Sequence, residues 1–175
     1  MRVAIMREMS DELDVATNCV VSDPERSLAI CEQYLNAHPD DPRGLFCRFQ
    51  ALDELGEFEG ALADINRVID VDPDWLAYFS RGTFFHKFGH FEQAVADLSR
   101  AGKLDTEGSA VVHRACYRAS ALSHLGRLDE ALADCEILPE NHWMPGQNGL
   151  PAGNKREFIE EVKRRALGAQ KRRRI

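Results

Sequence analysis

The sequence predicts an all-α protein: a solenoid of about four antiparallel helical hairpins closed by a terminal helix. Three observations predict it. The decapeptide LGEFEGALAD (55–64) returns as FGHFEQAVAD (88–97) and as LGRLDEALAD (125–134), which places Gly56, Gly89 and Gly126 at intervals of 33 and 37 residues. Apolar residues on both sides of each copy follow the 3.6-residue period of a helix with one buried face. Prolines, capping acids and glycines stand where helices start and stop. A catalytic constellation converges once in a chain, whereas recurrence at a near-fixed interval marks a structural unit that is stacked.

The clearest unit spans residues 42–74. Asp41 caps its first helix and Pro42 suits the first helical position, where a missing N–H costs nothing. Leu45, Phe46, Phe49, Leu52 and Leu55 form the apolar stripe. Gly56 ends the helix, because the residue after a helix favours the left-handed conformation that glycine adopts cheaply. A second helix follows through Ala61, Leu62, Ile65, Val68 and Ile69, with Glu57 and Glu59 at its start, and stops before Pro73. The next unit, 75–108, repeats this plan. Ala61, Ala94 and Ala131 occupy one place, where a small residue lets two helices cross closely. In a third unit, 109–138, the first helix is expected to be longer by about one helical turn, with Ser109 as its cap, and the second is cut short by Pro139. Ahead of them, residues 8–41 read as a degenerate hairpin after a short tail, 1–7. Ser10 is its expected cap, Ser22-Asp23-Pro24 replaces the elbow glycine, Ser27 replaces the alanine, and Pro39 lies 34 residues before Pro73. Behind them, residues 139–153 form a loop rich in Pro and Gly, in which Trp143 is expected to plug the end of the core. Residues 154–168 read as a capping helix begun by Asn154 and Glu157, and 169–175 as a basic tail.

The elbows, with Gly82 and Ala101 in the second unit and Pro73 closing the first, resemble the tetratricopeptide repeat, whose period is 34 residues. The resemblance covers roughly residues 8–138. It implies a right-handed solenoid whose first helices line a concave surface that binds a peptide segment or helix of a partner protein. On this sequence the row facing that groove is Arg43, Phe46, Gln50, Asp53 and Glu54, then Leu76, Phe79, Thr83, His86 and Lys87, then His113, Cys116, Ser120 and His124. Phe46 and Phe79 hold equivalent places, and Gln50, Thr83 and Ser120 form a matching polar row. Some relatives grip a C-terminal carboxylate through a Lys/Asn/Arg clamp. The corresponding places here hold Glu12, Ala16, Cys47, Leu76 and Ser80 or, one hairpin on, Phe46, Gln50, Ser80, His113 and Tyr117; neither set is a clamp.

The composition narrows the remaining classes. The net charge is −7, yet seven basic residues and no acidic one follow Glu161, leaving −14 on the rest of the chain. An acidic body argues against a general nucleic-acid binder. The five cysteines are scattered without a CxxC pair, so no disulfide framework, metal site or cofactor is expected, and a reducing cytoplasm fits best. The first residues are too short an apolar run for a signal peptide, and no run is long enough to span a bilayer. His86 and His90 stand four apart, but the elbow at Gly89 interrupts their helix. His113 and His124 are separated by three helical turns, roughly 16 Å. No nucleophile elbow, phosphate loop or HExxH is present, so no catalysis is expected. The expected function is protein–protein interaction, as adaptor or chaperone. Two alternatives stand beside it: a small secretion-type chaperone, and an accessory protein that meets nucleic acid or a membrane surface through its basic tail.

Overall fold

The computed structural model describes residues 13–146 and 150–172, and the expected cap Ser10 and residues 1–7 lie outside them. The chain divides into two units, Met1–Pro73 and Asp74–Ile175.

The first unit holds helix α1, described over 13–19, then α2 (Pro24–Ala37), α3 (Pro42–Leu55) and α4 (Phe58–Val71). Local chemistry sets their ends. The Asp23 carboxylate accepts the Arg26 N–H at 3.2 Å and that of Asp41 accepts the Arg43 N–H at 2.9 Å, each with proline at the first helical position. At Gly56 the backbone turns to φ 76°, and the Glu57 N–H reaches back to the Leu52 carbonyl at 2.9 Å. Consecutive helices pack antiparallel through Cys31, Tyr34, Leu35, Leu45, Phe49, Ile65 and Val68, all buried.

The second unit holds α5 (Trp75–Lys87), α6 (Phe91–Leu104), α7 (Val111–His124) and α8 (Leu128–Glu136), then strands β1 (Trp143–Pro145) and β2 (Ala152–Asn154), and α9 (Lys155–Arg172). Gly89 and Gly126 make its elbows, with φ of 81° and 73°. Ala61, Ala94 and Ala131 are fully buried at the crossings. Helix α9 packs on α7 and α8, where Phe158 and Val162 join Cys116, Leu122, Cys135 and Leu138 in one apolar cluster.

The terminal aspartate of each decapeptide has a partner that the repeat alone does not reveal. Asp64, Asp97 and Asp134 are buried, and each is held by both nitrogens of an arginine sixteen residues earlier. Arg48 reaches Asp64 at 2.6 and 2.7 Å, Arg81 reaches Asp97 at 2.7 and 2.9 Å, and Arg118 Nε reaches Asp134 at 2.7 Å while its Nη2 bonds the other oxygen. Each pair ties the first helix of a hairpin to the second, in the bidentate geometry that suits guanidinium and carboxylate.

Four sequence expectations change at the level of the fold. Ser109 does not cap α7; the Asp105 carboxylate takes the Ser109 and Ala110 N–H groups at 2.9 and 3.1 Å, so the longer side chain upstream holds that turn. The stretch read as a loop, 139–153, contains an antiparallel β-ribbon that pairs Met144 with Gly153. Within it Met144 fills the core at 2% exposure and Trp143 stands 63% exposed. Residues 169–172, read as tail, continue α9: Ala169 is buried and the Gln170 amide donates to the Gly126 carbonyl at 2.8 Å. The opening of α9 follows the expected reciprocal cap, Asn154 Oδ1 accepting the Glu157 N–H at 3.1 Å and Glu157 Oε2 the Asn154 N–H at 2.9 Å.

Candidate partner-binding surface

In the first unit the candidate residues lie on α3. Arg43 is exposed, but its guanidinium is fixed, donating to Asp41 at 2.9 Å and to the Tyr34 hydroxyl at 3.1 Å. Burial alone would push the Asp41 carboxyl up; Arg43 and Tyr34 outweigh it and hold it at about 2. Phe46 is half-buried with its ring 5.8 Å from that of Phe49, Gln50 and Asp53 are half-buried, and Glu54 is exposed.

In the second unit the candidates build on a row of rings. Trp75 lies 6.5 Å from Phe79, Phe79 meets Tyr117 edge-on at 6.3 Å, and Tyr117 meets His86 edge-on at 5.4 Å. His86 continues to Phe91 at 5.7 Å, and Phe91 stacks flat on His124 at 4.0 Å. The row grades from surface to interior: Trp75 and Phe79 are half-buried, whereas Tyr117 and His86 are buried. Leu76 (39% exposed), Lys87 and His113 stand outward beside it.

Several expected surface groups are in fact interior. His86 is 3% and Ser120 1% exposed, and the His86 Nε2 and Ser120 Oγ atoms bond each other at 2.8 Å. Cys116 is buried as well. The Thr83 hydroxyl turns back to the Ser80 carbonyl at 2.9 Å. His124 is half-buried under Phe91 and is met by Arg165, whose Nη1 lies 3.1 Å from His124 Nε2 and 3.3 Å from Ser120 Oγ. The expected polar row of Gln50, Thr83 and Ser120 is therefore not a row of outward hydrogen bonders. At Ser120, Arg165 arrives from α9 on one side, tethered to Glu161 at 2.5 Å, and His86 bonds the same hydroxyl. Arg165 and Tyr117 fall outside the expected groove row. Trp75 carried a usable signal, being four residues before Phe79 on one helix face.

Arginine can only donate, so His124 Nε2 accepts and its imidazole is neutral. Burial and the Arg165 charge both hold the His124 pKa below its ordinary 6.5. The unfolded chain thus takes up this proton first as pH falls. The stabilisation is complete above 6.5 and is lost as pH drops through the lower folded value. Arg164 and Arg165 hold Glu161 at about 2, so its share is lost only below its ordinary 4.5. Melting midpoints should accordingly fall between about pH 7 and 5, and His124→Gln should flatten that slope. An unchanged slope in the variant would show that another group governs it. Among the described residues, no three His, Cys, Asp or Glu side chains gather as for a metal ion, and no helix is long and apolar enough to cross a membrane.

Against solved structures the chain matches MamA of AMB-1 with a TM-score of 0.67 over 93% of this chain and 86% of the other, at 18% identity. It matches MamA 41-end from Desulfovibrio magneticus RS-1 at 0.65, covering 93% of this chain and 95% of that one, at 15% identity. YrrB, described as a TPR protein with an unusual peptide-binding site, matches at 0.63 over 91% of this chain and 84% of its own, at 19% identity. The fold is that of the tetratricopeptide repeat. In the TPR-like all-α solenoid, the glycine elbows and buried alanines of this chain are the turns and crossings of its hairpins. No protein-family model and no curated protein matches the sequence.

Proposed function

We propose that this chain is a protein-interaction module, an adaptor or chaperone, that holds a peptide segment or helix of a partner against the first helices of its hairpins, by binding rather than catalysis. The observation that carries this is the graded ring row of the second unit. Trp75 and Phe79 present aromatic surface, and the buried Tyr117, His86 and Ser120 behind them fix that surface in place. Large rings on a rigid backing are the kind of group that dominates binding energy, because little freedom is lost on contact. Leu76, Thr83, Lys87 and His113 supply its margin, and Arg43, Phe46, Gln50 and Asp53 the corresponding places on α3. The description of YrrB as carrying a peptide-binding site supports the same reading. A cytoplasmic setting belongs to the proposal, on the strength of the unpaired cysteines.

Phe79→Ala is the test. Because Phe79 is only half-buried, its loss should cost well under the roughly 3–5 kcal/mol of a fully buried phenylalanine. The native partner recovered with the tagged chain should be lost, while Val21→Ala, at a 75% exposed position in the other unit, should retain it. Severe destabilisation, or full retention of partner by a folded Phe79→Ala protein, would overturn the reading.

A further inference from the structure

The first unit contains three thiols outside the ring row: Cys19 on α1, half-buried, and Cys31 and Cys47, both buried. Helices α2 and α3 approach closely at Gly44, where an added Cβ would fall 2.8 Å from Tyr34 Cδ1 and 2.9 Å from Leu35 Cδ2. From this point, one turn back along α2 and one turn forward along the antiparallel α3 bring Cys31 opposite Cys47. The two are 0% and 3% exposed, and neither is in a disulfide. The Thr17 hydroxyl of α1 lies 3.7 Å from Cys47 Sγ. The Ser27 hydroxyl, one turn before Cys31 on α2, is buried without a hydrogen-bond partner. Helix pairs this close can bring cysteine Cα atoms within the span a disulfide requires.

We propose that Cys31 and Cys47 are a redox pair, oxidised by peroxide to a reversible disulfide that joins α2 to α3. The two thiols are unlike, which divides the roles. The neighbouring Cys31 thiol lowers the Cys47 pKa, burial opposes this, and Thr17 lowers it further, so Cys47 ionises more readily. Hydrogen bonding to Cys47, and then burial, raises Cys31. Cys47 is therefore the attacking thiolate. Its sulfur takes one oxygen of hydrogen peroxide, the O–O bond breaks, and the departing hydroxide gains a proton to leave as water, giving a sulfenic acid. The Cys31 thiol then attacks that sulfur, the S–O bond breaks, a second water leaves, and the disulfide remains. Two thiols are oxidised and one peroxide is reduced to two waters. Access comes through a local opening at α1, whose Thr17 lies against the Cys47 sulfur. Local openings of this kind take less free energy than unfolding of the whole.

The experiment treats the full chain with equimolar hydrogen peroxide, alkylates the remaining thiols and digests with trypsin without reduction. The expected product is peptide 27–43 joined to peptide 44–48 within one molecule, released by dithiothreitol, with Cys116 and Cys135 still alkylatable after denaturation. The oxidised chain should melt higher than the reduced one. In Cys31→Ser the reaction should stop at a Cys47 sulfenic acid that dimedone traps. Recovery of both peptides unlinked, linkage between two molecules, or sulfinic acid on Cys47 beside a free Cys31 would overturn the proposal. The wild-type peptide map decides this whether or not the variant folds.

Discussion

Replacing Arg118 by methionine should destabilise the protein by about 3–5 kcal/mol, because it leaves a buried carboxylate without its counter-charge. The Asp134 side chain is only 2% exposed, so water cannot take over the role of the guanidinium. Arg118 also donates to Ser99 Oγ at 3.3 Å, a hydrogen bond that disappears together with the ion pair. Removing both charges should be far milder. A double variant with methionine at Arg118 and leucine at Asp134 trades an ion pair for apolar packing of similar volume, a change that is often neutral. Urea unfolding of the two single variants and the double measures the coupling. Independent, additive losses would mean that the pair contributes nothing as a pair.

Phe158→Ala should cost about 3–5 kcal/mol as well, but by a different route. Phe158 is 1% exposed and is the largest side chain that α9 places against α7 and α8. The void would lie among Cys116, Leu122, Met144 and Leu138, which belong to other elements and cannot all collapse toward it. Amide exchange should therefore accelerate along α9 and along the α7 and α8 faces beneath it, while α5 and α6 stay protected. Unaltered protection of α9 in the variant would show that Phe158 is not its anchor.

How much of this was legible in the sequence depends on how far each signal reaches. Asp41-Pro42, Asn154 with Glu157, and the glycines at 56, 89 and 126 act within a turn or two, so the residues that make these features stand next to them. The arginine–aspartate pairs span sixteen residues and two helices; the aspartates recur visibly, but nothing local names their partners. Trp143 and Met144 show a sharper limit. In an extended strand neighbours point to opposite sides, so the pairing of Met144 with Gly153 decides which is buried, and size gave the wrong answer. The capping helix is expected to end at 168, yet α9 continues because Ala169 and Gln170 are held against the elbow at Gly126. On the candidate surface, the half-exposure of Phe79 agrees with a place on a first helix. Ser120 meets His86 and Arg165, 34 and 45 residues away, and no spacing rule connects them.

In the pairs Arg48–Asp64, Arg81–Asp97 and Arg118–Asp134, each buried carboxylate finds its counter-charge within its own hairpin. Duplicating or deleting one, as unequal recombination does to a gene, strands no buried charge in its neighbours. Between the hairpins of the second unit the polar contacts are neutral at one end, as in His86 with Ser120 and Arg118 with Ser99, and losing one of these leaves no buried carboxylate unpaired. A lineage can therefore change the length of such an array in single steps, each copy arriving with its own internal fastening already closed.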